Sequence, residues 1–320
     1  MDKETELAIV RNAYSRQILA AAGVRDPAVE AAFAQVPREH YLGRGPWMTL
    51  RTPVLQGRAA GAGPPPEAYA ATPDDDPVFL YTDALFGLLT QRGINNGQPS
   101  LHATLLAAAT LRPGEHVVHV GAGTGYYSAI LARLVGPEGH VTAIEFNDEL
   151  AERLQRNVLS EPNITPIHGD AIKSSLAPAD VIYANASFAR IPDTWSDALR
   201  DGGRIIVPMS YPVPLAFPLL SPAPSASKPP PTPQDFAKMA RALASNCAFR
   251  VERRGEDFCV KWICPASFIP AEGMDAESVA ALAQALEKGT ARNVTRLYRR
   301  DDIPEEQCWL RGKGWCLAYS

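Results

Sequence analysis

His116-Val-Val-His-Val-Gly-Ala-Gly-Thr-Gly-Tyr126 is the stretch that decides the fold. A β-branched run feeds straight into three glycines at alternate positions, and an apolar, helix-like segment follows. At such a strand-to-helix turn, glycine lets backbone N–H groups approach a ligand that a Cβ would hold away. The dinucleotide fingerprint G-x-G-x-x-G needs its third glycine where strand and helix pack closely. Gly121 and Gly123 fit, but Tyr126 takes the third position and Gly125 comes one residue early. A phosphate-binding P-loop fails too, because no Gly-Lys-Ser/Thr follows. The remaining common user of a G-x-G-x-G turn is S-adenosyl-L-methionine, which carries no phosphate.

Two neighbouring strands agree. Gly139-His-Val-Thr-Ala-Ile-Glu145 ends in a carboxylate 20 residues past Gly125. An acid at that spacing sits at the tip of the adjacent parallel strand and accepts both ribose hydroxyls. Ile164-Thr-Pro-Ile-His-Gly-Asp170 is another short strand ending in an acid, placed to reach an adenine amino group. Beyond the glycine turn, strands are expected at 139–145, 164–168, 180–184 and 204–207, with helices near 126–135, 147–158 and 193–200. Such alternation implies a parallel sheet with helices on both faces. Asp201-Gly-Gly203 should break the last helix before Arg204-Ile-Ile-Val-Pro208.

Upstream, residues 4–22 read as an amphipathic helix with Leu7, Val10, Tyr14, Ile18 and Ala21 near one face. Gly23 stops it, and Asp26-Pro27 restarts a helix as N-cap and first helical residue. Residues 51–77 are Gly/Ala/Pro-rich and read as a surface loop, its Asp74-Asp-Asp76 run solvated rather than metal-binding. Ser100 to Thr110 looks helical after an Asn-Gly and Pro turn. A second proline-dense stretch at 211–234 reads as an insertion without its own fold, followed by a short helix at 234–244. Residues 249–253 and 258–263 then form an antiparallel pair about Gly255, closing the sheet edge. A helix over 275–291 and the tail Cys308-Trp-Leu-Arg-Gly-Lys-Gly-Trp-Cys316 end the chain; the tail's symmetry predicts a hairpin with paired tryptophans.

A net charge of −4 and pI near 5.9 give no general nucleic-acid or anionic-membrane surface. No apolar run approaches a bilayer span, and the charged start Met1-Asp-Lys-Glu lacks a signal-peptide core, so the expected setting is cytoplasmic. The five cysteines all follow position 246 with no C-x-x-C pair, so reduced thiols are expected rather than a disulfide framework or a zinc site. His116 and His119 lie on opposite sides of one strand and cannot share a metal. No metal site is expected.

In these motifs the chain resembles the protein-L-isoaspartate O-methyltransferase family. The matching pieces are Val36-Pro-Arg-Glu-His, Tyr81-Thr-Asp83, Gln98-Pro99, His119-Val-Gly-Ala-Gly-Thr-Gly-Tyr126 and His168-Gly-Asp170. Asp180-Val-Ile-Tyr-Ala-Asn-Ala-Ser, Leu199-Arg-Asp-Gly-Gly-Arg-Ile-Ile-Val-Pro208 and Phe268-Ile-Pro270 follow in family order. Val-Pro-Arg-Glu separates this family from methyltransferases in general. The resemblance implies an α/β fold: a doubly wound, Rossmann-like methyltransferase sheet, mostly parallel with an antiparallel edge. That domain spans 78–273, after an N-terminal helical region (1–50) and the 51–77 loop, and before a C-terminal extension (274–320).

It also implies O-methylation of a carboxylate on a protein or peptide, in protein repair, with S-adenosyl-L-methionine as cofactor. The cofactor falls on His102, Gly121, Ala122, Gly123, Thr124, Gly125, Glu145, Asp170, Ala171 and Asn185. The substrate loop falls on Asn95, Asn96, Gly97 and Ser100. There the chain departs from the family pattern, because the serine that holds the substrate carboxylate becomes Gly97. Substrate binding then rests on backbone N–H groups, an asparagine, or the Ser100 hydroxyl. Restoring the hydroxyl by Gly97→Ser is compatible with the loop only if residue 97 does not need φ > 0. The altered loop leaves open another carboxylate acceptor, such as a peptide natural product or a small acid. A non-catalytic cofactor-binding interaction protein is the other open class.

Overall fold

The computed structural model describes residues 2–50, 69–210 and 246–319. The chain begins with α1 (Lys3–Ala22), α2 (Pro27–Gln35) and α3 (Glu39–Leu42). Asp2 caps α1 through the Thr5 N–H at 2.9 Å, and Asp26 caps α2 through the Ala28 and Val29 N–H groups with Pro27 in the first turn. The inward face of α1 carries Arg11 and Ser15 beside Leu7, Tyr14, Ile18 and Leu19, whereas Ala21 is exposed.

Strands β1 (Met48–Leu50) and β2 (Tyr69–Ala71) pair antiparallel, so regular structure returns earlier than the loop reading of 51–77 allowed. Tyr69 and Leu50 pack together there, which gives this end of the loop something to bury. In the acidic run, Asp76 caps a 3-10 turn through the Val78 N–H and pairs with Lys3. The expectations at 51–68, for the proline-dense 211–234 and for a helix at 234–244 lie outside the described residues.

A small hairpin follows, β3 (Gly87–Leu89) and β4 (Ile94–Asn95), and then α4 (Pro99–Ala109). The alternating region runs β5 (His116–Val120), α5 (Tyr126–Val135), β6 (His140–Glu145), α6 (Asp148–Asn157), β7 (Ile164–His168), β8 (Ala179–Ala184), α7 (Asp193–Ala198) and β9 (Leu199–Met209). β9 begins at Leu199, so Asp201-Gly-Gly203 lies within the strand instead of between helix and strand. Its pairing with β8 shifts register there. The chain ends with β10 (Cys247–Arg254), β11 (Asp257–Pro265), α8 (Ala276–Glu287), β12 (Arg296–Tyr298), β13 (Cys308–Gly312) and β14 (Trp315–Ala318).

One ten-stranded sheet results, in the order β13-β14-β12-β11-β10-β9-β8-β5-β6-β7. β7, β6, β5, β8 and β9 are parallel, and every later pairing is antiparallel. β5 and β8 sit centrally and are buried on both faces, which explains their unbroken β-branched and apolar runs. Pro166 is tolerated because β7 is an edge strand. Apolar clusters fill both faces: α1, α2, α4 and α5 cover one, while α7 and α8 cover the other, where side chains of the tail strands join the cluster.

The β10–β11 pair therefore does not close the sheet. β12, β14 and β13 continue it, so the strands of the C-terminal extension belong to the same sheet. The tail is a hairpin as expected, but its tryptophans pack apart from one another. Trp309 sets its edge on Phe249, while Trp315 lies under the Arg190 guanidinium. The reduced-thiol expectation is also corrected, since Cys308 and Cys316 are joined as a disulfide across the hairpin, Cα atoms 5.9 Å apart. C-x-x-C spacing could not reveal this pair, because the hairpin brings together residues eight apart in sequence.

Candidate functional site

Strand order reverses between β5 and β8: the chain runs outward through β6 and β7, then returns to β8 beside β5. Such a switch point opens a crevice at the carboxyl ends of the strands, where ligands bind in open α/β sheets. A cleft opens at this place. The ends of β5, β6, β7 and β8 supply Gly121–Thr124, Glu145, Asp170 with Ala171, and Asn185. The β3–β4 hairpin adds Leu88, Ile94, Asn95 and Asn96, and the segment after β11 adds residues 269–272.

The glycine turn has the left-handed backbone that its glycines allow, but the N–H groups of those glycines are engaged within the protein and do not reach out to a ligand as the sequence implied. Gly121, Gly123 and Gly125 have φ of +74°, +58° and +97°, conformations that disfavour a Cβ. The Gly121 and Ala122 N–H groups both donate to the Ile144 carbonyl. Gly123 N–H instead donates to the Glu145 carboxylate at 2.7 Å, tying the turn to the tip of β6. Gly125 does not face the cleft. It starts α5 against α6, where an added Cβ would lie 2.9 Å from Leu154 Cδ1.

Glu145 is 7 % exposed and accepts a second backbone bond from Asn147 N–H at 2.9 Å. Burial raises its pKa above the usual carboxylate value, outweighing those two hydrogen bonds, and the nearby Glu272 carboxylate adds to the rise. Asp170 turns one oxygen to the Ile172 N–H, at 2.9 Å, and the other to Lys173. Asn185 is fixed by donating from Nδ2 to the Gly121 carbonyl at 3.1 Å.

The loop at residues 95–100 is anchored through the Val-Pro-Arg-Glu motif and Asp83. Arg38, of the Val-Pro-Arg-Glu motif, is fully buried among the rings of Tyr14, Phe86 and Tyr126. Its guanidinium donates to the carbonyls of Leu80, Thr82 (2.9 Å) and Ala84 (3.4 Å), which pins residues 80–84. From that segment Asp83 accepts the Ser100 N–H at 2.9 Å, the Ser100 hydroxyl at 2.6 Å and the Gln98 amide at 3.0 Å. Charge-assisted bonds of this kind contribute roughly 1.5–3 kcal/mol each when shielded from water, and they set the entry of α4. Arg38 and Asp83 were missed as site-building residues, although both lie in quoted motifs.

Two of the three donors expected in this loop are therefore engaged. The Ser100 hydroxyl belongs to Asp83 and does not line the cleft. Gly97 N–H donates to Asn95 Oδ1 at 3.0 Å, closing a tight turn with Gly97 at φ +75°. His102 is not at the cleft either. It is fully buried, bonded through Nδ1 to the Tyr183 hydroxyl at 2.8 Å and stacked on Tyr127, which takes the cleft-facing place. Burial holds its pKa well below that of free histidine. His119, whose burial lowers its pKa to about 3, bonds Ser128 on α5, while the half-exposed His116 bonds Pro178 and Thr142.

Further cleft residues escaped the sequence reading. Phe146 and Asn147 simply follow Glu145, and Ile172 follows Asp170, so position relative to each acid was the available signal. Ile269–Glu272 enters through tertiary pairing: the Ser187 N–H donates to the Ile269 carbonyl and the Ala271 N–H to the Ser187 carbonyl. Glu272 pairs with Arg92 of the β3–β4 hairpin beside the cleft. The charged residues lining the cleft are Glu145, Asp170 and Glu272, and no lysine, arginine or histidine joins them among the described residues. No cluster of metal-ligating side chains occurs among the described residues.

The family model for protein-L-isoaspartate(D-aspartate) O-methyltransferase matches residues 72–213. A protein-L-isoaspartate O-methyltransferase of Ignicoccus hospitalis is 41% identical over 115 residues, 35% of this chain and 54% of that protein. One of Rhodopseudomonas palustris is 30% identical over 212 residues, 65% of this chain and 72% of that protein. The chain thus spans about half the length of several curated relatives and nearly three quarters of the last. A solved Plasmodium falciparum structure, titled a putative protein-L-isoaspartate O-methyltransferase in complex with S-adenosyl-L-homocysteine, superposes with a TM-score of 0.54 at 15% identity. That superposition covers 81% of this chain and 97% of the other, and it speaks for the fold. With the motifs in order, the strand-end cleft they build and these relatives, the chain belongs to the protein-L-isoaspartate O-methyltransferase family.

Proposed function

We propose that the chain is an S-adenosyl-L-methionine-dependent O-methyltransferase acting on an isoaspartyl carboxylate of a protein or peptide. The observation that carries the reading is the charge of the cleft. Three carboxylates and no basic side chain line it among the described residues. Lys173 and Arg92 pair with Asp170 and Glu272 from outside that lining, so the cleft presents no lining cation to a ligand, which disfavours a pyrophosphate and admits a cationic sulfonium. The residues fit that cofactor in kind. Glu145 offers a desolvated acceptor for ribose hydroxyls, Phe146 and Ile172 offer apolar surface beside Asp170 for a purine, and the glycine turn leaves room at the strand end.

The cofactor, when bound, supplies an electrophilic methyl group on sulfur. Transfer to a carboxylate oxygen would form a C–O bond as the S–C bond broke with its electron pair left on sulfur, so the products would be a methyl ester and a neutral thioether. No proton moves, because the acceptor is already ionised at neutral pH. The protein's work is therefore positioning and exclusion of water. Asn95, Asn96, Tyr127, Glu145 and Asn185 all line this one cleft, so the asparagines would meet the acceptor while Glu145 and Asn185 would hold the cofactor.

Names of relatives support the same reading, since the curated proteins above are called protein-L-isoaspartate O-methyltransferases. The altered loop favours a second reading within the same chemistry, in which another carboxylate is the acceptor. No described helix is long and apolar enough to cross a membrane. The expected cytoplasmic setting belongs to this proposal, although reducing thiol pools there oppose disulfides such as Cys308–Cys316. The test is transfer of labelled methyl from saturating S-adenosyl-L-methionine to an isoaspartyl peptide. A base-labile methyl ester is expected; cofactor binding without that product would reject the isoaspartyl reaction.

A further inference from the structure

We infer that the side-chain amide of Asn96 binds the acceptor carboxylate, in place of the missing hydroxyl, and makes the site selective for an anionic acceptor. The inference rests on the methyltransferase reading above and concerns the other half of the same cleft.

Asn96 is 6 % exposed and lines the cleft. Its backbone N–H donates to the Phe86 carbonyl at 2.9 Å, and its Oδ1 accepts the Phe86 N–H at 2.7 Å. That second bond settles which side-chain atom is which, because a backbone N–H must face an oxygen. Nδ2 is thereby turned away from Phe86, and it is buried with no hydrogen-bond partner among the described residues. An orphaned buried donor destabilises the protein unless something meets it. Of the orphaned buried side-chain donors among the described residues, only this one lines the cleft.

The alternatives are occupied or blocked. Gly97 N–H is held by Asn95, the Asn95 amide reaches the Tyr69 hydroxyl at 3.4 Å, and the Ser100 hydroxyl is held by Asp83. A serine at 97 is ruled out by geometry: φ is +75°, and its Cβ would stand 2.4 Å from Nε2 of His102, a ring locked between Tyr127 and Tyr183. A hydroxyl both donates and accepts, whereas Nδ2 only donates. The rebuilt site therefore takes an acceptor oxygen and has nothing to offer a group that must donate.

Asn96→Asp tests this with little structural change, since the aspartate keeps an oxygen on the Phe86 N–H and replaces only Nδ2. Two peptides are titrated into protein saturated with S-adenosyl-L-homocysteine: an isoaspartyl peptide, and its analogue with the free carboxylate replaced by carboxamide. Wild type should prefer the carboxylate at least tenfold. Asn96→Asp should lose or invert that preference, because the new carboxylate repels one peptide and accepts an N–H from the other. Its affinity for S-adenosyl-L-homocysteine should stay within twofold. Asn96→Ser, which restores a hydroxyl one position from the family's, should keep part of the preference if Asn96→Asp does not fold. An undiminished preference in whichever variant folds would overturn the assignment, as would equal binding of the two peptides by wild type. Binding with the expected inversion but without methyl ester from wild type would instead overturn the proposed reaction and leave the Asn96 contact standing.

Discussion

Replacing Glu145 by alanine is the sharpest test of the cofactor half of the cleft. In the free protein this carboxylate is already desolvated, at 7 % exposure, and already held by the Gly123 and Asn147 N–H groups at 2.7 and 2.9 Å. Its hydrogen bonds to a ribose would therefore form with little additional desolvation. Charge-assisted bonds contribute about 1.5–3 kcal/mol each, and 1.4 kcal/mol is a tenfold change in affinity. Loss of one such bond predicts at least tenfold weaker binding, and loss of two predicts at least about a hundredfold. Glu145→Gln, which keeps one carbonyl oxygen but turns an amide toward a backbone N–H, should fall between wild type and alanine. Calorimetry with S-adenosyl-L-homocysteine measures all three. The sign with pH follows from the raised pKa. Hydroxyl donors favour the ionised form, so affinity should be full above the raised value and decline as pH falls through it, beginning above the ordinary pKa of 4.5. The same shift means that burying the charge opposes folding above that pKa, and the cost is relieved on acidification. An alanine variant within twofold of wild type, with no pH dependence in either, would refute the ribose assignment.

Two further outcomes are expected. Gly97→Ser should lower the melting temperature and stability by about 1–3 kcal/mol, from left-handed backbone strain and overpacking against His102; it should not raise activity on an isoaspartyl peptide, and a thermal melt equal to wild type would contradict the loop geometry. Reducing the Cys308–Cys316 bond, which closes a short hairpin, should cost about 2–3 kcal/mol, read as a denaturation midpoint that moves with reductant and is insensitive to it in Cys308→Ser.

The parallel half of the sheet was legible because its signals are local. β-branched runs buried on both faces, glycines at a strand-to-helix turn, and an acid at each strand tip follow from periodicity and backbone sterics within a few residues. For the same reason Gly121–Thr124, Glu145, Asp170 and Asn185 could be placed at one cleft, since each stands at a strand end that its own sequence defines. Tertiary structure decided the rest. Whether a donor is free depends on which distant group reaches it first: Asp83 takes Ser100, Tyr183 takes His102, and neither partner is adjacent in sequence. The tail reads as an appendage in one dimension because its strands are short, and only pairing with Phe258 and Cys259 of β11 makes it part of the sheet. Asn96 shows both limits together. Its residue type was visible in the sequence, but its role turns on a single rotamer fixed by Phe86, and a rotamer is a property of packing.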